Sequence, residues 1–305
     1  MNIKNYIRAL FDSDWRFCRL AARGFYNWLP DDLYLKRLFK AKMGYELNLE
    51  NPQTFNEKLQ WLKLYNRKTE YTAMADKYEA KKIIAEKIGE KHIIPTLGVW
   101  NKFDDIDFDS LPNQFVLKCT HMGVIICKDK SSFDRRKAKK QINCWMKKNN
   151  YWAGREWVYK DIIPRILAET YMTDESGFEL KDYKVFCFNG VPKVIQVDFD
   201  RFEEHKRNIY DTNWKLLPLE IEYSSKAERQ IERPECLQEL LHLASELSKG
   251  IPHIRTDFYV VQEKIYFGEL TFYHGNGYEK FAPKEWCDTF GKWLELPDRG
   301  ARMYR

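Results

Sequence analysis

IRTDFYVVQEKIYFGELTF, residues 254–272, reads as a β-hairpin. Two runs rich in Val, Ile, Tyr and Phe flank the polar tripeptide Gln262-Glu263-Lys264, the pattern of paired strands joined by a short loop. With those three residues as the loop, Val261 pairs with Ile265 and Asp257 falls opposite Glu269. Alternation along the strands puts Asp257, Tyr259 and Val261 on one face with Ile265, Phe267 and Glu269. Phe258, Val260, Tyr266 and Leu270 point the other way. Two carboxylates facing each other across a ladder, about 5 Å apart at Cβ, repel. A Mg2+ ion turns that repulsion into bridging, because protein Mg2+ sites use one or two carboxylates together with substrate phosphates. The plainer alternative pairs Arg255 with one carboxylate in a purely structural arrangement.

The 305 residues suffice for two domains, or for one large domain with subdomains. Apolar residues make up 44% of the chain, enough for a sizeable core, while 31% charged residues argue for a soluble protein. No window approaches the roughly 20 apolar residues that span a bilayer. MNIKNYIRALFDSDWRFCRL at the start lacks an apolar core and a small-residue cleavage site, so a cytoplasmic location is expected. Seven scattered cysteines without a CxxC read as reduced thiols, and the six histidines show no zinc-ligand spacing. The net charge of +6 suits an anionic substrate. The basic run DRRKAKKQINCWMKK, residues 134–148, reads as a solvated helix face, and no nucleic-acid partner is expected.

Residues 1 to about 70 read as helical, with Thr54 and Glu57 matching a capping box and Trp61 and the leucines forming an apolar stripe. Asp76 caps the helix KYEAKKIIAEKIG, and Gly89 stands where it stops. HIIPTLGVW reads as a strand with a Pro-marked edge. FVLK and VIICK are strands joined by CTHMG, and a basic helical region covers roughly 133–165. The strand ILAETYM, a turn at 174–177, DYKVFCF, the Asn189-Gly190 hairpin turn and VPKVIQVDFD follow. A helix around 226–249 precedes the opening hairpin. Strands followed by helices, with antiparallel hairpins, indicate an α+β protein.

Lys118 ends a strand just before CTHMG, which suits a lysine reaching polyphosphate beneath a loop with exposed N–H groups. Lys77, beside Asp76, is a second candidate. Each lysine alone reads as a surface charge. The series Lys77, Lys118, Glu169, Asp182, Lys184, Arg255, Asp257 and Glu269 is more than chance, and its order resembles the ATP-grasp superfamily over about residues 70–280. More closely, NPQTFNEKLQWLKL, DKYEAK, FVLKCTHMG, REWVYKDIIPRILAETYM, DYKVFCFNG and FYVVQEKIYFGELTF look like the TupA-like ATP-grasp branch, which is linked to bacterial surface polysaccharides.

The resemblance implies an ATP-grasp fold with a helical N-terminal extension, and ATP and Mg2+ as cofactors. It implies a helical region at 1–70, the N-terminal part of the core at 71–110, a lid subdomain at 111–168 and a C-terminal subdomain at 169–305. Lys77 and Lys118 would contact phosphates, with Thr120, His121, Met122 and Gly123 closing over them. Glu169 would lie near the adenine amine, with Thr170, Tyr171 and Met172 reading the ring edge. Asp182 would accept from ribose hydroxyls, Lys184 would reach phosphate, and Arg255 would stabilise the transferred phosphoryl group. Asp257 and Glu269 would hold Mg2+, with Thr271 where relatives often place an Asn, and Asn276 either compensating or building a turn.

The expected activity is an ATP-dependent ligase joining a carboxylate to an amine, with a uronic acid of a surface polysaccharide and an amino acid as partners. Rival expectations are a glycosyltransferase, a sugar phosphotransferase and a non-catalytic scaffold. The YHGNG loop and residues 198–210 are candidates for the acceptor site. Trp15, Phe25 and Trp28 with Arg8, Arg16, Arg19 and Arg23 read as part of a helical cap on the core; the alternative is peripheral attachment to the inner face of the membrane.

Overall fold

The computed structural model describes residues 11–175, 177, 180–199, 206–225 and 231–299. The N-terminal region carries helices α1 (Ser13–Ala21), α2 (Asp31–Met43) and α3 (Phe55–Tyr65). The capping box forms at α3: Glu57 N–H donates to Thr54 Oγ1 at 3.2 Å, and Thr54 N–H donates to Glu57 Oε2 at 3.0 Å. A cap of this kind stabilises its helix by about 1 kcal/mol. Leu59, Trp61 and Leu62 are buried in the large core. After α4 (Glu70–Ala75), Asp76 Oδ1 accepts from the N–H groups of Tyr78 and Glu79 and starts α5 (Glu79–Ile88), which stops at Gly89.

Next come β1 (Thr96–Trp100), β2 (Phe115–Cys119), β3 (Met122–Cys127), α6 (Arg135–Met146), α7 (Tyr151–Gly154) and β4 (Ile166–Thr170). The four strands form an antiparallel sheet in the order β1-β4-β2-β3. It has its own core, in which Phe103, Phe108 and Phe115 pack with Leu117, Ile142 and Ile166.

The rest of the chain supplies β5 (Asp182–Phe188), β6 (Val191–Phe199), β7 (Lys206–Asp211), β8 (Glu220–Ile221), α8 (Leu237–Ser248), β9 (His253–Val261), β10 (Lys264–Thr271), β11 (Phe281–Ala282) and α9 (Glu285–Trp293). Five of these strands form a second antiparallel sheet, ordered β10-β9-β5-β6-β7, against which α8 packs. Its core continues into the N-terminal helices, with Phe55, Phe186, Phe188 and Phe290 meeting edge to face. The architecture is the expected α+β arrangement. Among the described residues, no helix is long and apolar enough to cross a membrane.

The β9–β10 hairpin keeps Asp257 opposite Glu269 by a route the sequence reading did not foresee. The turn has two residues, Gln262 and Glu263, both with positive φ, so Val261 pairs with Lys264 and Phe258 with Phe267. A bulge at Gly268 then shifts the register by one and restores the Asp257–Glu269 pair. The expected faces are therefore corrected in the middle of the hairpin. Ile265 and Phe267 join Phe258 and Val260 in the core, while Tyr266 lies opposite Tyr259 on the other face. A Cβ at Gly268 would lie 3.0 Å from the Asp257 carbonyl oxygen, a closer approach than side chains ordinarily make, so any other residue would press on the β9 backbone.

Other expectations are trimmed. HIIPTLGVW is a strand only over β1. The helical region 133–165 divides into α6, α7 and a 3-10 turn at Trp157–Tyr159. Of the helix expected at 226–249, residues 226–230 lie outside the described residues, and 231–236, which include Pro234, are not helical. Asn189-Gly190 forms its expected turn, both residues with positive φ.

Candidate functional site

A cavity of about 510 Å3 opens between the two sheets. The four-stranded sheet contributes Val116, Lys118, Val124 and Ile126, with Lys128 just beyond β3. The end of β4 and the segment after it add Glu169, Thr170, Tyr171, Met172 and Leu180. The five-stranded sheet contributes Asp182, Lys184, Asp257, Tyr259, Gly268 and Glu269, while Lys77 and Ile94 close one side. Ten of the sixteen residues assigned roles from the sequence line this one cavity: Lys77, Lys118, Glu169, Thr170, Tyr171, Met172, Asp182, Lys184, Asp257 and Glu269.

On the floor, Glu269 accepts from Lys77 Nζ at 2.8 Å, and this ammonium holds the Glu269 carboxyl well below the usual carboxylate range against the opposing effect of burial. Burial alone would depress Lys77, but Glu269 outweighs it and raises the ammonium above its ordinary value. Asp257 sits differently. Arg255 grips it with two parallel bonds, Nε to Oδ1 at 2.7 Å and Nη2 to Oδ2 at 2.6 Å, yet burial pushes its carboxyl up and Arg255 and Lys184 only partly offset that. Lys184 bonds to Asp182 and lies 3.4 Å from Asp198 and 3.6 Å from Asp257.

These contacts close into a ring beneath the cavity. Arg255 Nη1 donates to His274 Nδ1 at 2.6 Å, which fixes the tautomer with the proton on Nε2. That nitrogen faces Glu279 Oε2 at 2.7 Å. Arg207 reaches Glu279 at 3.3 Å and Asp198 at 2.8 Å, and Lys184 returns the chain of contacts to Asp257. On the opposite side, Glu169 lies between two ammonium groups, Lys81 on Oε1 and Lys118 on Oε2, each at 2.5 Å. Burial would raise its carboxyl, and the two lysines instead hold it below the ordinary value.

The other assigned residues lie outside the cavity lining. Thr120 and His121 form the tight turn between β2 and β3, and both are buried. Thr120 N–H donates to the Arg165 carbonyl, its carbonyl accepts from Lys77 N–H, and His121 Nε2 contacts the Trp145 carbonyl at 3.1 Å. Met122 and Gly123 belong to β3. Arg255 lies beneath the floor, and Thr271 accepts from Arg255 Nη2 at 3.0 Å while its hydroxyl donates to Glu269 at 3.4 Å. Asn276 bonds to Lys63. Of residues 198–210, Asp198 and Arg207 belong to the ring, and 200–205 lie outside the described residues.

Lys81, Lys128, Tyr259, Asp198, Arg207, His274 and Glu279 received no individual role from the sequence. Lys81 had a signal, since it stands four residues after Lys77 on one helical stretch. For Arg207 and His274 the sequence offered only the segments 198–210 and YHGNG as acceptor-site candidates, and their meeting with Glu279 comes from the packing of the sheet against the 274–279 loop.

No curated protein sequence matches the chain. Among solved structures, it resembles D-alanine–D-alanine ligase from Bacillus anthracis complexed with ATP, with 16% identity over 65% of this chain and 53% of that one, at a TM-score of 0.38. It resembles N5-carboxyaminoimidazole synthetase from Staphylococcus aureus complexed with ADP at 13% identity, over 72% of this chain and 52% of that one, with a TM-score of 0.40. The chain thus spans about half the length of these two proteins. The TupA-like ATP-grasp family model matches residues 57–295, which contain every residue of the cavity. By that match, the chain belongs to the TupA-like ATP-grasp family.

Proposed function

We propose that the protein is an ATP-dependent carboxylate–amine ligase that forms an amide through an acyl phosphate. The observation that carries this reading is one cavity of nucleotide size with lysines on both sheets and a facing carboxylate pair on its floor. Lys77, Lys118 and Lys184 would bind phosphate, Thr170 to Met172 would border the base, and Asp182 would meet the ribose. Thr120 to Gly123 would act as a brace behind Lys77 and Lys118, since Thr120 bonds to the Lys77 backbone.

Asp257 and Glu269 suit Mg2+: both offer hard oxygen ligands from adjacent strands, and among the described residues no third acidic, His or Cys ligand joins them. That is the donor set of an ion completed by water and substrate phosphates. Bound there, Mg2+ would supply charge neutralisation for phosphoryl transfer. The chain's own share is positioning: lysines orient the phosphates, and Arg255, fixed by Asp257 and His274, lends positive charge from below.

For substrates, the reading is a uronic acid of a bacterial surface polysaccharide, or its precursor, joined to an amino acid or small amine. Exposed Phe11, Phe25 and Trp28, with Arg16, Arg19 and Arg23, support contact with the inner membrane face, whereas Arg8 lies outside the described residues. Vesicle sedimentation that weakens as salt rises is the expected result.

The deciding experiment measures ADP release with MgATP across a panel of uronic acids and amines, with Glu269→Gln as control. ADP that requires both carboxylate and amine, and disappears in the variant, establishes the ligase. ADP release that requires only a sugar hydroxyl, or release of UDP from a UDP-sugar, overturns it.

A further inference from the structure

Glu169 and Lys118 border the cavity, but Lys81, which completes their cluster, stands outside its lining. The sheet dictates the first two positions. Glu169 on β4 pairs with Val116 on β2, so these side chains share a face, and Lys118 follows two residues further along the same face. Diagonal neighbours of this kind lie within reach of long side chains, and Lys118 Nζ meets Glu169 Oε2 at 2.5 Å.

Lys81 arrives from another element. It belongs to α5, four residues after Lys77. Its Nζ donates to the Ile94 carbonyl at 2.6 Å and meets Glu169 Oε1 at 2.5 Å. The anchor at Ile94 is itself tied down, because the neighbouring Pro95 carbonyl accepts from Thr170 N–H at 3.1 Å, at the end of β4. One helical stretch thus sends Lys77 to Glu269 of the five-stranded sheet and Lys81 to Glu169 of the four-stranded sheet.

The three side chains are nearly buried, with 12% of Lys81, 12% of Lys118 and 6% of Glu169 exposed, so their charges act on one another with little screening. Two ammonium groups against one carboxylate leave a single positive charge. Since Lys81 is held outside the lining, that surplus is presented to the cavity by Lys118. Without Lys81, Lys118 and Glu169 would cancel, and an entering phosphate would meet a neutral pair.

We propose that Lys81 is a positioning residue: it cancels the charge of Glu169 from one oxygen, so that Lys118, held in place by the other, keeps its own charge for a phosphate of the bound nucleotide. The inference deepens the ligase reading and rests on it for the identity of the ligand. Lys81 acts through Glu169 and Lys118 and makes no contact with the nucleotide.

The test measures binding of Mg-AMPPNP, inorganic tripolyphosphate and adenosine by NMR titration. It uses the natural protein, Lys81→Gln, Lys81→Arg, Glu169→Gln and the Lys81→Gln/Glu169→Gln double variant. Lys81→Gln removes the charge while retaining a donor for the Ile94 carbonyl. It is expected to weaken AMPPNP and tripolyphosphate about tenfold and to leave adenosine within about twofold. Lys81→Arg should restore phosphate binding to within about threefold of the natural protein. In the Glu169→Gln background, adding Lys81→Gln should change tripolyphosphate affinity by less than about twofold, because no carboxylate remains to be cancelled. Equal weakening of all three ligands would reduce Lys81 to structural support, and a tenfold loss that persists beside Glu169→Gln would make it a direct phosphate ligand. Either result, or phosphate binding unchanged by Lys81→Gln, overturns the proposal. Tripolyphosphate binding that depends on Lys81, with no binding of AMPPNP or adenosine, would uphold the lysine assignment and strike the ligase reading. No binding of any of the three would overturn both.

Discussion

The β2–β3 and β9–β10 hairpins face the same cavity, and each combines a two-residue turn with a glycine at a register shift, Gly123 in one and Gly268 in the other. Their cavity faces differ. The first offers Val124 and Ile126, 48% and 39% exposed, with Lys118 as its charged group facing the cavity. The second offers Asp257 and Glu269, tied to Arg255, Lys77 and Lys184. One wall grips by apolar contact that many residues could supply. The other depends on charges that hold one another in place, so removing any member leaves its neighbours buried and uncompensated.

Acid should separate the two walls most. Burial lowers His274 to about 4 and His253 to about 3 from the ordinary 6.5; His253 opens β9 of the five-stranded sheet and His274 belongs to the ring beneath it. Their folded values are depressed, so the unfolded chain binds protons first as pH falls. Stability is full above about 6.5 and is lost progressively towards pH 3, by an amount on the order of several kcal/mol. Urea unfolding between pH 7 and 3.5 measures it; a flat profile would show that the histidines are not held neutral.

Next in size, Asp257→Asn should cost about 3–5 kcal/mol in urea unfolding, since Arg255 loses its bidentate partner in a buried position. A loss below about 1 kcal/mol would mean that the ring relaxes around the change. Glu269→Gln should lower ADP release about 100-fold or more under conditions where the natural protein turns over. Lys118→Met should weaken nucleotide binding about tenfold, read by calorimetry, because Lys81 still neutralises Glu169. Smallest of all, Ile126→Ser should leave stability within about 0.5 kcal/mol while weakening nucleotide binding a fewfold; a larger stability loss would show that this wall is not the replaceable one.

The hairpin shows how far sequence reading reached. Its strands and its carboxylate pair were legible, because β-branched and aromatic runs mark strands and two acids at matching positions stand out. Its turn and its inner faces were not. A three-residue loop and a two-residue turn with a bulge give the same Asp257–Glu269 pair, and only the second sends both Phe258 and Phe267 to the core. Gly268, a lone glycine inside a strand pattern, was the available sign. The turn at Thr120-His121 misled in the other direction: as a sequence it resembles an open phosphate loop, but the chain packs it behind the sheet, where Thr120 bonds to Arg165 and Ile163.

The ring beneath the cavity also sets what kind of visitor the floor admits. Asp182, Asp198, Asp257, Glu269 and Glu279 put five carboxylates against the four cations Lys77, Lys184, Arg207 and Arg255. Among these described residues the acids outnumber the cations by one, and burial, reinforced by Asp182, displaces the Asp257 carboxyl upward. A naked polyanion approaching this surface meets repulsion; one that arrives already wrapped around a divalent cation brings the missing positive charge with it. The floor thus acts as a filter on the form in which an anion enters.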